Sequence, residues 1–238
     1  MWHFIIILKK ILITAVLSCA SFISLAIVPA KPVAYINNLP VEEAELRREM
    51  LRYRSVIYSE YAADFNLAEV KDFWNTDFKG KKPVDSLRNR ALKALTAIKV
   101  QQQLLEEKKL WPYKNYGELQ SAMQQENTQR EQKVQRKEII YGPAVYTEQV
   151  FFDYKFSNAL IALKHHLAGN QIPINDSLLL NHYTLLRKER VYSEKKTFNS
   201  FKKQVQDNYI EREYKKLIRV MVEKAKVRIV NGYKSVEI

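Results

Sequence analysis

Cysteine occurs once in the 238 residues, at Cys19 inside an apolar N-terminal run. The chain after that run therefore has no thiol for a disulfide or a Cys-based metal site, and an exported body of this kind is held together by core burial alone. Glycine (5) and proline (7) are scarce, too few for the many turns of an all-β fold. P-loop, GxGxxG and EF-hand patterns are missing. Neither His165, His166 nor His182 lies in a local signature of a nucleophile–base pair. On a helix the adjacent His165 and His166 diverge by about 100°, whereas a shared metal needs an i, i+4 pair. Glu42, Glu43 and Glu45 are accounted for by a helix dipole rather than by acid–base work. These absences leave no catalytic residue, no metal ligand and no cofactor, and point to a protein that is not an enzyme.

What the chain does have is an ordinary globular mixture, 47% hydrophobic and 27% charged, with a net charge of +13. That charge favours anionic surroundings such as a membrane or cell-wall polymers. Nucleic acid is disfavoured, because the bases are spread over several helices beside many acids.

Residues 11–30, "ILITAVLSCASFISLAIVPA", run without a charge; as a helix they would cover about 30 Å, enough to cross a bilayer core. Lys9 and Lys10 would keep the start in the cytoplasm and place residues 31–238 outside. A single-pass anchor over 1–30 and a cleaved signal ending at Ala30 compete, the second giving a secreted protein. "VLSC" is a loose lipoprotein box with Leu17 where a small residue is usual, and Cys19 reads more simply as a small apolar membrane residue.

The exported part reads as helices. Val33 to Ile36 is a short β-type run, Asn37-Asn38 is turn chemistry, and Pro40 with Glu42, Glu43 and Glu45 suits a helix start. Leu46, Met50, Tyr53, Ile57 and Tyr61 then form one apolar stripe. Residues 66–83 read as a helical turn plus loop, with Phe73, Trp74 and Phe78 plugging it onto the core. A long second helix follows from Val84 to Lys109, carrying Leu87, Ala91, Leu95 and Ile98.

Residues 119–138 have high helix propensity but only Leu119, Met123 and Val134 as apolar face, giving a solvated arm or a helix packed at one end. "YGPAVYTEQVFFDYKF" places six aromatic rings in sixteen positions, 141–156, with Thr147 as an N-cap. Phe152, Phe156, Ala159, Leu160, Leu163 and Leu167 make a single stripe that Val150, Phe151, Tyr154 and Ile161 widen, so these rings read as core. Gly169 ends that helix, a short one starts at Asn175 or Asp176, and 187–196 is a basic connector. Thr197 opens a last long helix to about Ala225, and "KVRIV" alternates as a strand. The strands 33–36 and 227–230 satisfy their edges most simply by pairing with each other.

In this order the pieces "VAYINNLPVEEAELRREM", "LRNRALKALTAIKVQQQLLEEKKL", "EIIYGPAVYTEQVFFDYKFSNALIALKHHL" and "FNSFKKQVQDNYIEREYKKLIRVMVEKAKVRIV" resemble the exported SurA/PrsA-type foldases, whose chaperone domain is also similar to that of trigger factor. Two departures stand out. The family's Val-Asn-Gly turn and hydroxyl cap are replaced by Asn37-Asn38-Leu39 and Pro40-Val41. Only residues 171–196 separate the two chaperone halves, too few for a parvulin isomerase domain.

The resemblance implies a mainly α protein: an N-terminal transmembrane helix, then a helical chaperone-like domain over 31–238 with one small two-stranded pairing of its ends. It implies a holdase for unfolded or newly exported polypeptides at a bacterial cell membrane. Tyr53, Ile57, Tyr61, Phe73 and Trp74 are the candidate client-binding residues. A non-catalytic adaptor of the cell envelope that uses 119–138 is the rival reading, and a peptidyl-prolyl isomerase with a degenerate site is a third.

Overall fold

Two asparagines in left-handed backbone start the fold. Asn37 (φ 48°) and Asn38 (φ 69°) form a two-residue turn whose twist matches that of the strands it joins. It connects β1 (Pro32–Ile36) to β2 (Leu39–Glu42) as a hairpin. The computed structural model describes residues 32–67, 70–191 and 197–238. The expected membrane segment, Cys19 and residues 192–196 of the basic connector lie outside that set. No helix among the described residues is long and apolar enough to cross a membrane.

Six helices follow the hairpin: α1 (Glu43–Asp64), α2 (Pro83–Glu107), α3 (Tyr116–Gln135), α4 (Glu148–Leu167), α5 (Asp176–Lys188) and α6 (Phe198–Glu223). Strand β3 (Val227–Ile229) comes after α6, and a short 3₁₀ turn, Tyr233–Ser235, follows it. The strand order is β2-β1-β3, all antiparallel, with Ala34, Tyr35 and Ile36 opposite Ile229, Arg228 and Val227. The strands at 33–36 and 227–229 thus pair as expected, but the sheet has three strands rather than two. The third is Leu39–Glu42, which the sequence reading gave to a helix start. Pro40 is accommodated because β2 is an edge strand, where a missing N–H costs no ladder bond.

Helix starts follow their caps. Pro83 opens α2, Asn115 Oδ1 accepts from Glu118 N (2.9 Å) at α3, and Asn175 Oδ1 accepts from Leu178 N (2.9 Å) at α5. Thr147 caps α4 through Val150 N (3.4 Å). Thr197 sits at the cap position of α6, but its hydroxyl pairs with Ser200 Oγ (3.2 Å) instead of a backbone N–H.

Two hydrophobic clusters result. One joins the sheet to α1 and the first half of α2, around Ala34, Ile36, Leu46, Met50, Ile57, Leu87 and Leu95. The other joins the end of α2 to α3–α6, around Phe151, Phe152, Leu163, Leu167, Leu179 and Val205. Each fully buried Leu, Ile, Met or Phe contributes about 2 kcal/mol of apolar burial. Helix α2 belongs to both. Of the six rings at 141–156, Phe151, Phe152 and Phe156 are buried, but Tyr141 and Tyr154 are exposed, as are Val150 and Ile161. The widened stripe read from sequence is therefore narrower: one flank of α4 meets solvent. Helix α3 packs mainly at its start, through Tyr116 and Leu119.

Candidate functional site

The α1–α2 connection folds into an aromatic cap at the far end of the helical pair. Phe65 N bonds to Tyr61 O (2.9 Å) and ends α1. Farther on, Lys79 (φ 55°) and Gly80 (φ 83°) turn the chain, with Gly80 N donating to Asp77 Oδ1 (2.6 Å). Phe78 and Lys81 pair across that turn, and Val84 N bonds to Trp74 O (3.0 Å), tying the loop to the start of α2.

Six rings meet there. Phe73 is central, with ring centroids 5.0 Å from Tyr58, 5.8 Å from Tyr61, 4.8 Å from Trp74 and 5.8 Å from Phe78. Phe65 closes the group at 4.9 Å from Phe78. Edge-on arrangements dominate, as the ring quadrupoles prefer. Arg54 lies 5.7 Å over Trp74 and Lys79 5.2 Å over Phe65, so cations border the rings. Beside them opens a cleft of about 470 Å³ between Tyr61, Phe65 and Phe78 and the charged Glu60, Asp64, Lys79 and Lys81. Tyr61 Oη shares a hydrogen bond with Ser86 Oγ (2.9 Å) and so fixes one wall.

The five residues expected from sequence are divided by this geometry. Tyr61, Phe73 and Trp74 come together in the cap. Tyr53 and Ile57 sit lower on α1, Ile57 buried and Tyr53 half-buried against the sheet-side cluster. Phe73 is itself buried; around it Tyr58 is exposed and Tyr61, Phe65, Trp74 and Phe78 are half-buried. Tyr58 went unnoticed because it lies off the i, i+4 stripe, and Phe65 because it follows the helix; an aromatic count over 58–78 would have found both.

A second cleft, about 570 Å³, lies between α1, α3 and the start of α4, with Ala44 and Leu51 on its apolar side and Arg47, Arg48, Arg52, Gln120 and Gln149 around it. Its walls are held by a buried polar network that sequence reasoning missed. Lys99 Nζ meets Glu45 Oε1 at 2.8 Å, and Glu45 Oε2 accepts from Glu42 N at 3.0 Å. Glu49 receives both Arg48 (3.0 Å) and Arg52 (3.0 Å), and Arg52 reaches across to Asp153 on α4 (2.6 Å).

Arg48 Nη1 donates to Tyr116 Oη (3.1 Å), which in turn donates to Glu148. Burial pushes the Tyr116 phenol far above its ordinary range; Arg48 opposes this and Glu148 adds to it. Tyr116 is therefore a fixed donor. Arg48 Nη2 is 3.0 Å from Glu49 Oε1 but at an angle that makes no hydrogen bond. The missed signal was positional: Glu45, Arg48, Glu49 and Arg52 recur at i, i+3, i+4 and i+7 on the shoulder of the Leu46–Met50 stripe.

His165 and His166 are exposed near the end of α4, and His182 is buried with Nε2 2.8 Å from Asn208 Oδ1. Among the described residues no group of three or more His, Cys, Asp or Glu side chains could hold a metal ion. No family model, no curated protein and no solved structure matches the chain.

Proposed function

We propose that the protein is a chaperone-like holdase of the bacterial cell envelope, anchored through residues 11–30, that binds unfolded or newly exported polypeptides without covalent chemistry. The observation that carries this reading is the six-ring cap, in which Tyr58 is about half-exposed (48%) and Tyr61, Phe65 and Phe78 line a charged cleft. An apolar, aromatic surface rimmed by both signs of charge suits sequence-tolerant contacts with extended chains. The ordered resemblance to the SurA/PrsA-type chaperone domain, with no space at 171–196 for its isomerase, supports the same conclusion.

One feature favours an envelope adaptor instead. Residues 139–146 are pinned to α3 by Arg130, whose Nε donates to Pro143 O (2.8 Å) and whose Nη2 donates to Tyr141 O. Asn127 bonds both Tyr146 N (2.7 Å) and Tyr146 O (2.9 Å). On this fixed backbone Ile139 and Tyr141 are 84% and 87% exposed, the form of a preorganised contact for one specific partner.

The full chain in detergent, added to a reduced and unfolded model protein, decides between them. A holdase suppresses aggregation, loses that effect with Tyr58→Ser plus Phe65→Ser, and keeps it with Ile139→Ser plus Tyr141→Ser. No suppression at several-fold molar excess favours the adaptor, and catalysis of proline-peptide isomerisation above buffer would return the isomerase.

A further inference from the structure

Among the described residues strand β3 is an unpaired edge of the sheet. Its Val227 and Ile229 stand opposite Ile36 and Ala34, and directly opposed residues share a face of the sheet. Ile36 and Ala34 are fully buried, whereas Val227 and Ile229 are 45% and 52% exposed. The core ends under β1, and the apolar face of β3 overhangs it.

The flanks of this overhang are basic. Lys224, Lys226, Arg228 and Lys234 are all exposed and form no ion pair among those found in the described residues, where fifteen other pairs occur. Arg228 instead lies 4.2 Å over the Tyr35 ring on the opposite face. The neighbouring acids in sequence are Glu223 and Glu237, two against four bases. The described chain enters here too: Val230 N bonds to Val33 O (3.1 Å), one residue past the first of β1, and in sequence only Lys31 separates the charge-free run 11–30 from that strand.

We infer that β3 and its basic flanks rest on an anionic lipid surface, with Val227 and Ile229 entering the headgroup layer and the four bases among the phosphates. This inference rests on the envelope-anchored reading above. A second extended chain adding to β3 fits less well: three residues with Arg228 at their centre and Lys226 just before them make the short, charged kind of edge that resists strand addition. An anionic polymer would satisfy the bases but offers no apolar phase for the two side chains.

The test uses the full chain with Cys19→Ser, reconstituted in phosphatidylcholine vesicles with or without phosphatidylglycerol. A fluorescent probe is attached through Asn231→Cys, just past β3, or through Ser59→Cys near the ring cap. Retention on phosphatidylcholine alone reports the anchor. With phosphatidylglycerol present, the probe at position 231 should be at least about threefold better shielded from an aqueous quencher than the probe at 59. Lys226→Glu plus Arg228→Glu should abolish that difference, as should vesicles of phosphatidylcholine alone.

Anchored protein whose 231 probe is quenched like the 59 probe in both lipids would overturn the inference and leave the anchor standing. Shielding that persists without phosphatidylglycerol, or in detergent with no vesicles, would overturn it in favour of a second copy or residues 1–31 as the cover. Retention only with phosphatidylglycerol, with position 231 shielded, would overturn the anchor and keep the contact. Retention on neither lipid would overturn both.

Discussion

The guanidinium of Arg48 on α1 lies 3.6 Å from the centre of the Phe152 ring on α4. A charge from the sheet-side cluster is thereby stacked on the core of the other, and its partner Glu49 is buried with it. Breaking a buried pair from one side strands the remaining charge. Arg48→Ala should therefore destabilise by about 3 kcal/mol, read as a lower urea midpoint with unchanged slope. Arg48→Met combined with Glu49→Leu should cost less than Arg48→Ala alone. A loss under about 1 kcal/mol for the single change would mean that the pair behaves as if solvated.

In the ring cap, burial and exposure predict opposite phenotypes. Phe73 touches four other rings and is buried, so Phe73→Ala should cost about 3 kcal/mol in urea unfolding. Tyr58→Ser should cost well under that, about 1 kcal/mol or less, while lowering capture of unfolded chains in the aggregation assay. Equal stability losses would place Tyr58 inside the core.

The hairpin asparagines are not equivalent. Asn37 Oδ1 accepts from Lys226 N (2.9 Å), joining the turn to the residue before β3. Asn37→Gly loses that bond and should destabilise by about 1 kcal/mol despite relieving the left-handed backbone. Asn38, also left-handed, has no such role in the described hydrogen bonds, so Asn38→Gly should be neutral or raise Tm slightly. Thermal melts of the two variants check the order.

Glu42 carries a pH dependence. Burial raises its pKa first and the neighbouring Glu45 second, while the bond from Tyr116 N (3.2 Å) and Lys99 oppose. Above the ordinary glutamate value and below the raised one, the folded state holds this proton more tightly than the unfolded state. Its share of stability is therefore largest at the acid side of that window and falls as pH rises through it. Glu211 has the opposite sign: the hydrogen bond from Lys164 (2.8 Å) is the main cause holding its pKa low. Its stabilisation is present above the unfolded value and lost as pH falls through the folded one. In urea unfolding over about pH 3 to about pH 7, Glu42→Gln should remove the falling limb above the ordinary glutamate value and Glu211→Gln the rising one below it. Unchanged slopes in both would assign the dependence to other groups.

Helices with a plain apolar stripe were legible in the sequence, as Leu46, Met50 and Ile57 or Phe152, Leu163 and Leu167 illustrate, because a 3.6-residue period survives whatever the partner. The pairing of residues 33–36 with 227–229 was legible because two isolated strands have few other ways to satisfy their edges. Strand β2 was not, since Pro40 and three following acids are helix-start chemistry and only the tertiary hairpin overrides it. The Glu45–Lys99 and Arg48–Glu49 pairs were hidden because a charged residue beside an apolar stripe is read as solvated unless the neighbouring helix that pairs with it, as Lys99 does with Glu45, or covers it, as Phe152 does Arg48, is known. For the same reason Val150, Tyr154 and Ile161 were assigned to burial: hydrophobicity fixes a face only where a neighbour exists to cover it.

Asn37 at the sheet's turn contacts Gln103 of α2, and Trp74 of the ring cap bonds to Val84 of the same helix. Nineteen residues of continuous α2 separate these two points, about 28 Å of rise. Reach is thus set by the length of a helical strut and not by loop chemistry. Lengthening α1 and α2 in register by two turns each would carry the aromatic cap about 11 Å farther from the sheet while leaving the chemistry of both ends intact.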